Sequence, residues 1–150
     1  MVPQSRAVLV ATIPAAAERL SRLLIGQRLV CPVNLAEAQA ALSRERFALA
    51  VMGVHFDESR MFDLISSARV SPLNRDVPIV CVLGVRRKMS KLTVHLLQET
   101  ISGMAGCQFL DLTMIADDEA GNALVRGMLG EHLPPALPER TLQQVTPSST

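Results

Sequence analysis

The feature that most constrains this chain is a regular alternation of short apolar runs with stretches of helical period. The runs have the length of strands, are rich in β-branched residues and end at turn residues or charges. They comprise residues 7–11, 28–33, 47–52, 78–83 and 107–112. After each run, apolar residues recur at spacings of three and four, as on one face of a helix. The sequence therefore predicts five strands, each followed by a helix.

The predicted strands are apolar on both faces, which is typical of a parallel sheet covered by helices on each side. The predicted fold class is α/β, a (βα)5 three-layer sandwich around a five-stranded parallel sheet. Pro32 lies in the second run and cannot donate to a ladder, so strand 2 belongs at an edge. Right-handed crossovers with short connections then favour the flavodoxin-like order 2-1-3-4-5.

Local signals mark where the helices begin and end. Thr12 with Pro14 predicts the start of helix 1, and Gly26 predicts its end. The stretch "NLAE" at 34–37 has the spacing of a capping box. Ser90 predicts the start of helix 4.

Length and composition indicate one compact domain and a tail. A chain of 150 residues with 49% apolar and 19% charged content can bury a substantial core. After Leu133 the sequence becomes "PPALPERTLQQVTPSST", which contains few large apolar residues. We therefore expect an α/β domain over 1–133 and a poorly ordered tail or linker over 134–150.

Charge and hydropathy exclude several classes of partner. A net charge of +1, with no Trp and no Tyr, offers little attraction to nucleic acid and little surface for stacking on bases. The first residues do not have the apolar stretch of a signal peptide, and no segment has the length and hydropathy of a membrane helix. We expect a cytoplasmic protein with neither a membrane nor a nucleic acid as its partner.

The three cysteines are Cys31, Cys81 and Cys107. Their wide spacing and odd number predict neither a zinc site nor a disulfide framework. Each is flanked by apolar residues, so we expect buried, inert thiols.

Ligands of such a sheet bind outside the carboxyl ends of strands 1 and 3, which here means residues 11–14 and 53–58. The loop after strand 1, "ATIPAAAERL", contains no glycine and one hydroxyl, so it forms no nest for a phosphate. The strand ends at Ala11, Gly53 and Leu83 offer no carboxylate or hydroxyl. Asp57 and Glu58 alone are an incomplete magnesium site. The sequence therefore predicts no catalytic residue, no metal and no cofactor.

Residues 5 to 133 resemble a receiver domain of bacterial response regulators, a CheY-like domain. The stretches that carry the resemblance are "AVLVATIP", "RFALAVMGVHFDESRMFDLI" and "DVPIVCVLG". Receivers carry two acidic residues after strand 1, a phosphoryl-accepting Asp at the end of strand 3, a Thr or Ser at the end of strand 4 and a Lys after strand 5. The corresponding positions here are Ala11 and Thr12, Gly53, Leu83, and Asp111 or Leu112. The resemblance thus implies a receiver framework around a vestigial phosphorylation pocket.

Aspartyl phosphorylation needs a carboxylate nucleophile, Mg²⁺ and a cation that stabilises the product. Because the matching positions supply none of these, the resemblance implies a degenerate, non-catalytic pseudo-receiver and not an enzyme. It implies a role in bacterial signal transduction or regulation through protein contact, independent of aspartyl phosphorylation. The partner is either another protein or a second copy of the chain, bound through helix 4, strand 5 and helix 5, as in receivers.

The stretch "RRKMSK" at 86–91 is the one dense basic cluster of the sequence. It falls in the loop that enters helix 4, next to the surface through which receivers contact partners. Two interpretations remain open, a solvated loop and a patch that binds a partner or a phosphate. The candidate interaction residues are Arg86, Arg87, Lys88 and Lys91.

Two further functional hypotheses remain open. The first is a flavodoxin-like small-ligand binder or enzyme whose pocket is built from Thr12, His55, Asp57 and Glu58 at the carboxyl edge of the sheet. The second is the N-terminal regulatory domain of a longer transcriptional or signalling regulator, with residues 134–150 as its linker.

Overall fold

The computed structural model describes residues 6–133, in which five strands alternate with five α-helices. The strands are β1 (Ala7–Ala11), β2 (Leu29–Val30), β3 (Phe47–Gly53), β4 (Ile79–Leu83) and β5 (Cys107–Asp111). The helices are α1 (Pro14–Leu23), α2 (Leu35–Arg44), α3 (Met61–Val70), α4 (Lys91–Ser102) and α5 (Glu119–Gly130), with a 3₁₀ turn at Leu112–Met114 after β5. The predicted tail, 134–150, lies outside the described residues.

The sheet is parallel throughout and has the order β2-β1-β3-β4-β5, which confirms the predicted topology. Its register aligns the strand ends: Ala11 pairs with Met52, and Leu83 pairs with Asp111. The carboxyl ends of β1, β3, β4 and β5 therefore lie along one edge of the sheet.

Alternate residues of each strand feed two cores, one on each face of the sheet. In β1, Leu9 and Ala11 join a core with α2 and α3, whereas Val8 and Val10 join a core with α1 and α5. Ile101 of α4 belongs to the first of these cores. This division confirms the predicted three layers.

Strand β2 is shorter than predicted, because the chain leaves the ladder after Val30. Pro32, which cannot donate, lies beyond the strand, and the edge position of β2 is confirmed. Cys31 is exposed and Cys107 is only partly buried, so the expectation of three buried thiols was wrong for Cys31 and holds only in part for Cys107. Cys81 is buried in β4, and burial raises the pKa of its thiol to about 12.

Two of the predicted helix starts are confirmed, whereas α1 ends at Leu23, three residues before Gly26. Asn34 caps α2 by accepting from the Glu37 amide at 2.8 Å, and Ser90 caps α4 by accepting from the Thr93 amide at 3.1 Å. The prediction that Thr12 starts α1 was wrong in detail. Ile13 occupies the cap position without a side-chain hydrogen bond, and Pro14 follows it. Thr12 is therefore available for another contact, described below.

A network of arginines, not predicted from the sequence, joins α1 to the segment that enters α5. Arg19 is buried and donates to Asn122 Oδ1 at 2.9 Å and to the Ala116 carbonyl at 2.8 Å. Arg22 pairs with Asp117 at 2.8 Å, and this hydrogen bond is the main reason that the pKa of Asp117 falls to about 2.

Along 6–133, no helix is both long and apolar enough to cross a membrane.

Candidate functional site at the carboxyl edge of the sheet

The five residues of the predicted vestigial pocket lie at one edge of the sheet. Ala11, Gly53, Leu83 and Asp111 are the last residues of β1, β3, β4 and β5, and Thr12 directly follows β1. Ala11 and Leu83 are fully buried, Thr12 and Asp111 partly so. The fold thus assembles the positions of a strand-end pocket from side chains that offer one carboxylate, at Asp111.

Thr12 occupies the space into which a side chain at residue 53 would extend. A Cβ atom added to Gly53 would lie 2.2 Å from Thr12 Oγ1, 2.7 Å from its Cβ and 2.9 Å from its Cα. Real Cβ atoms essentially never approach other heavy atoms within 3.0 Å. Glycine is therefore required at the end of β3 while Thr12 keeps this position, and an aspartate does not fit there.

The end of β4 is closed in a similar way. A Cβ atom at Gly84 would lie 2.9 Å from Ala16 Cβ and 3.4 Å from Ile13 Cδ1. The segment that links β1 to α1, together with the first turn of α1, therefore packs directly on the ends of β3 and β4. Small residues at the strand ends permit this packing, because they leave the space that Thr12, Ile13 and Ala16 fill.

Arg86 and Asp111 form an ion pair at the same edge. Arg86 Nη2 lies 3.0 Å from Asp111 Oδ2, and Arg86 Nε donates to Thr113 Oγ1 at 3.0 Å. Asp111 Oδ1 also accepts from the Thr113 amide at 3.0 Å. The Asp111 side chain is 14% exposed and that of Arg86 33%, so the pair is partly shielded from water. The carboxylate is neutralised by a residue of the chain itself.

The pair was missed by sequence reasoning, although a signal for it exists. Strands β4 and β5 are neighbours, and the carboxyl ends of neighbouring parallel strands lie side by side. A basic residue shortly after β4 and an acidic residue at the end of β5 are therefore expected to meet.

Comparisons with solved structures bear on this geometry, whereas no protein-family model and no curated protein matches the sequence. A response regulator from Hahella chejuensis matches with a TM-score of 0.66 and 18% identity, over 89% of this chain and 98% of that one. The signal receiver domain of a histidine kinase from Syntrophus aciditrophicus matches with a TM-score of 0.62 and 18% identity, over 86% and 90%. The chain has the CheY-like receiver fold.

A third receiver domain, from a sensor histidine kinase of Pseudomonas aeruginosa PAO1, holds a magnesium ion in its active-site cleft. It matches with a TM-score of 0.58 and 15% identity, over 85% of this chain and 97% of that one. In the present receiver fold the corresponding edge does not fit such an ion. Ala11, Thr12 and Gly53 supply no carboxylate, and the described residues contain no group of three or more His, Cys, Asp or Glu able to hold a metal.

The loop after β3 supplies structural contacts to this receiver fold. Asp57 Oδ2 accepts from the Leu35 amide at the start of α2 at 2.8 Å. His55 Nε2 lies 3.2 Å from the Val85 carbonyl, which joins the loops after β3 and β4. Burial and, to a smaller extent, the charge of Arg87 lower the pKa of His55. The predicted lining of a small-ligand pocket consists of Thr12, His55, Asp57 and Glu58, of which Glu58 is exposed.

The basic cluster divides into two parts. Arg86 is held by Asp111 and Thr113 as described above. Arg87, Lys88 and Lys91 are exposed, and none of them pairs with a carboxylate within 6–133. In this receiver fold the cluster therefore contributes one structural cation and three cations that face solvent.

Proposed function

We propose that this chain is a pseudo-receiver, a non-catalytic domain that acts in bacterial signalling or regulation through protein contact and without aspartyl phosphorylation. The observation that carries the proposal is the contact between Thr12 and Gly53. It leaves neither a carboxylate at the acceptor position nor space in which to place one. The receiver fold itself supplies the link to signalling.

The remaining chemistry supports the same proposal. Phosphoryl transfer to a carboxylate depends on a metal ion that neutralises the phosphoryl oxygens and on a cation beside the product. The acidic pair that would hold the metal is replaced by Ala11 and Thr12. Arg86, a cation at the same edge of the sheet, already neutralises Asp111. The acceptor carboxylate, the acidic pair for the metal and the free cation are thus all altered.

The purified protein is expected to take up no label from radioactive acetyl phosphate in the presence of Mg²⁺. Beryllofluoride, which imitates the phosphorylated state, is expected to leave its melting temperature unchanged. A phosphorylatable receiver domain treated in parallel serves as the positive control. Covalent label on any residue would contradict the proposal, and the variants Asp57→Asn and Glu58→Gln would then show whether either acid is a substitute acceptor.

The surface formed by α4, β5 and α5 has the character of an interface. Leu92 and Leu96 lie one turn apart on α4 and are 65% and 56% exposed, and Leu124 on α5 is 57% exposed. Among the described residues, β5 is the last strand of the sheet, and its outer edge has no partner strand. Exposed leucines spaced four apart form an apolar stripe along a helix, which favours contact with a partner.

We propose a second copy of this chain as that partner. Lys91 begins α4, and Arg87 and Lys88 lie in the loop just before it, whereas Asp118 caps α5 and Glu119 begins it. A two-fold axis brings the same surface of both copies together, so the basic end of one α4 can meet the acidic end of the other α5. The complementary charges on one surface are the reason for preferring self-association to a different protein.

Replacing Leu92 and Leu96 together by glutamate is expected to weaken the dimer at least tenfold, because two carboxylates would then lose water in an apolar interface. A loss of about 1.4 kcal/mol is enough for that change. Multi-angle light scattering over a dilution series measures the change. Val70→Glu is the matched control, because Val70 is 76% exposed on α3, away from this surface. A wild-type protein that stays monomeric at every concentration would refute the homodimer and leave a heterologous partner as the occupant of this surface.

A further inference from the structure

A basic cavity lies at the opposite edge of the sheet, where the strands begin. It has a volume of about 260 Å³ and is enclosed by the starts of β1 and β3 and by the segment between α3 and β4. Three arginines contribute to its lining, Arg6, Arg46 and Arg75, together with a single carboxylate, Asp76. No element of the candidate site at the carboxyl edge takes part in it.

The cavity has an excess of positive charge that no ion pair within residues 6–133 neutralises. Within residues 6–133, none of its three arginines forms an ion pair with a carboxylate. Elsewhere, Arg22, Arg28 and Arg86 each pair with an acidic side chain. Like charges that are gathered around a concave surface attract counter-ions and favour an anionic ligand.

The walls of the cavity are fixed by hydrogen bonds. Arg46 Nη1 donates to the Leu73 carbonyl at 3.3 Å, which leaves its remaining N–H groups free of described partners. The buried Asn74 accepts from the Phe47 amide at 2.9 Å and donates to the Glu45 carbonyl at 2.9 Å. The segment between α3 and β4 is therefore attached to the start of β3, so the two walls keep their separation.

A bulge in β3 opens the sheet at the same place. Ala7 pairs with Phe47, and Val8 pairs with Leu49, so Ala48 has no partner on β1. Ala48 lines the cavity. Bulges are over-represented beside binding sites, where they interrupt the ladder and change the direction of the strand.

We propose that this cavity binds the phosphate group of a small molecule. The planar guanidinium group donates two parallel hydrogen bonds to phosphate, and arginine is favoured where phosphate is recognised by shape as well as charge. The volume lies just below the range of about 300–1,000 Å³ that is usual for small-molecule pockets. It fits a pyrophosphate or a small phosphate ester rather than a large cofactor.

Calorimetric titration of the full chain tests the proposal with three probes: inorganic phosphate, pyrophosphate and a ribonucleoside 5′-monophosphate, with sulfate at matched ionic strength as the reference. Saturable binding of at least one phosphate probe, tighter than that of sulfate, is expected. The double variant Arg6→Gln/Arg75→Gln is expected to weaken that binding at least tenfold, because each guanidinium supplies charge-assisted hydrogen bonds. The order of the three probes distinguishes free phosphate from an ester.

Arg60→Gln/Arg126→Gln is the matched control, since it removes the same charge from two exposed positions, the cap residue of α3 and a residue on α5. When a phosphate probe is added to the wild-type protein, the largest changes in amide chemical shift should be at Ala48 and Leu73. Arg46→Gln gives a second, independent loss of binding if the first variant is unstable. Three results would each overturn the proposal. The first is the absence of saturable binding, and the second is an affinity for sulfate equal to that for phosphate, which would indicate an adventitious ion only. The third is an equal loss of phosphate affinity in the two double variants.

Discussion

Replacing Gly53 by alanine is expected to lower the free energy of unfolding by about 3 kcal/mol or more, at the upper end of the cost of overpacking a core. The added Cβ would lie 2.2 Å from Thr12 Oγ1 and 2.9 Å from Thr12 Cα, so both the side chain and the backbone of residue 12 would have to move. Urea denaturation, followed by circular dichroism, measures the loss.

The double variant Thr12→Ala/Gly53→Ala separates this contact from other effects of the substitution. It removes the shortest of the clashes, so the two changes are expected to couple by about 1 kcal/mol or more in a double-mutant cycle. Gly127→Ala is the matched control. A Cβ there has no neighbour within 4 Å, and alanine in place of glycine inside α5 should stabilise the helix by up to about 1 kcal/mol. Unchanged stability of Gly53→Ala would show that Thr12 does not occupy this space.

Replacing Asn74 by alanine is expected to lower the free energy of unfolding by about 3 kcal/mol, from three lost hydrogen bonds of about 1 kcal/mol each. Asn74 is 2% exposed. It donates to the Leu42 carbonyl at 2.8 Å and to the Glu45 carbonyl at 2.9 Å, and it accepts from the Phe47 amide at 2.9 Å. These bonds join the end of α2 and the start of β3 to the loop before β4.

Asn74→Asp refines this prediction, because aspartate keeps an acceptor for the Phe47 amide but loses both donors. It should therefore be destabilised at neutral pH, where the buried carboxylate also faces the Leu42 and Glu45 carbonyls. Gln98→Ala on α4 is the control, since Gln98 is exposed. A loss below about 1 kcal/mol in Asn74→Ala would mean that water replaces the amide at little cost.

Much of the fold follows from local patterns that the sequence displays directly. The alternation of apolar runs with helical periods predicted the strands and helices, and Pro32 placed β2 at an edge. Capping signals such as Asn34 and Ser90 depend on neighbours within one turn, so they could be recognised without knowledge of the fold. The length of β2 could not, because it depends on where the chain separates from β1. The exposure of Cys31 follows from that separation.

The strand ends that form the candidate site could be located from the sequence, whereas the contacts among them could not. The missing carboxylates at Ala11, Thr12 and Gly53 are visible once the strand ends are known. The contact of Thr12 with Gly53 is a matter of tenths of an ångström, which no spacing in the sequence encodes. The basic cavity likewise joins Arg6, Arg46 and Arg75, which are far apart along the chain and meet only through the sheet and its bulge.

The ion pair between Arg86 and Asp111 has a consequence for how such a protein would carry information. Both partners belong to the chain, so the loop before α4 takes its position as soon as the protein has folded. A receiver that depends on phosphate reports how many of its molecules are modified at a given moment. Under the function proposed above, the counter-charge at this surface would be internal and permanent, so the protein would report only how many copies of it exist. The signal would then be the concentration of the protein, which synthesis and degradation set and which its partner senses through the amount of complex formed.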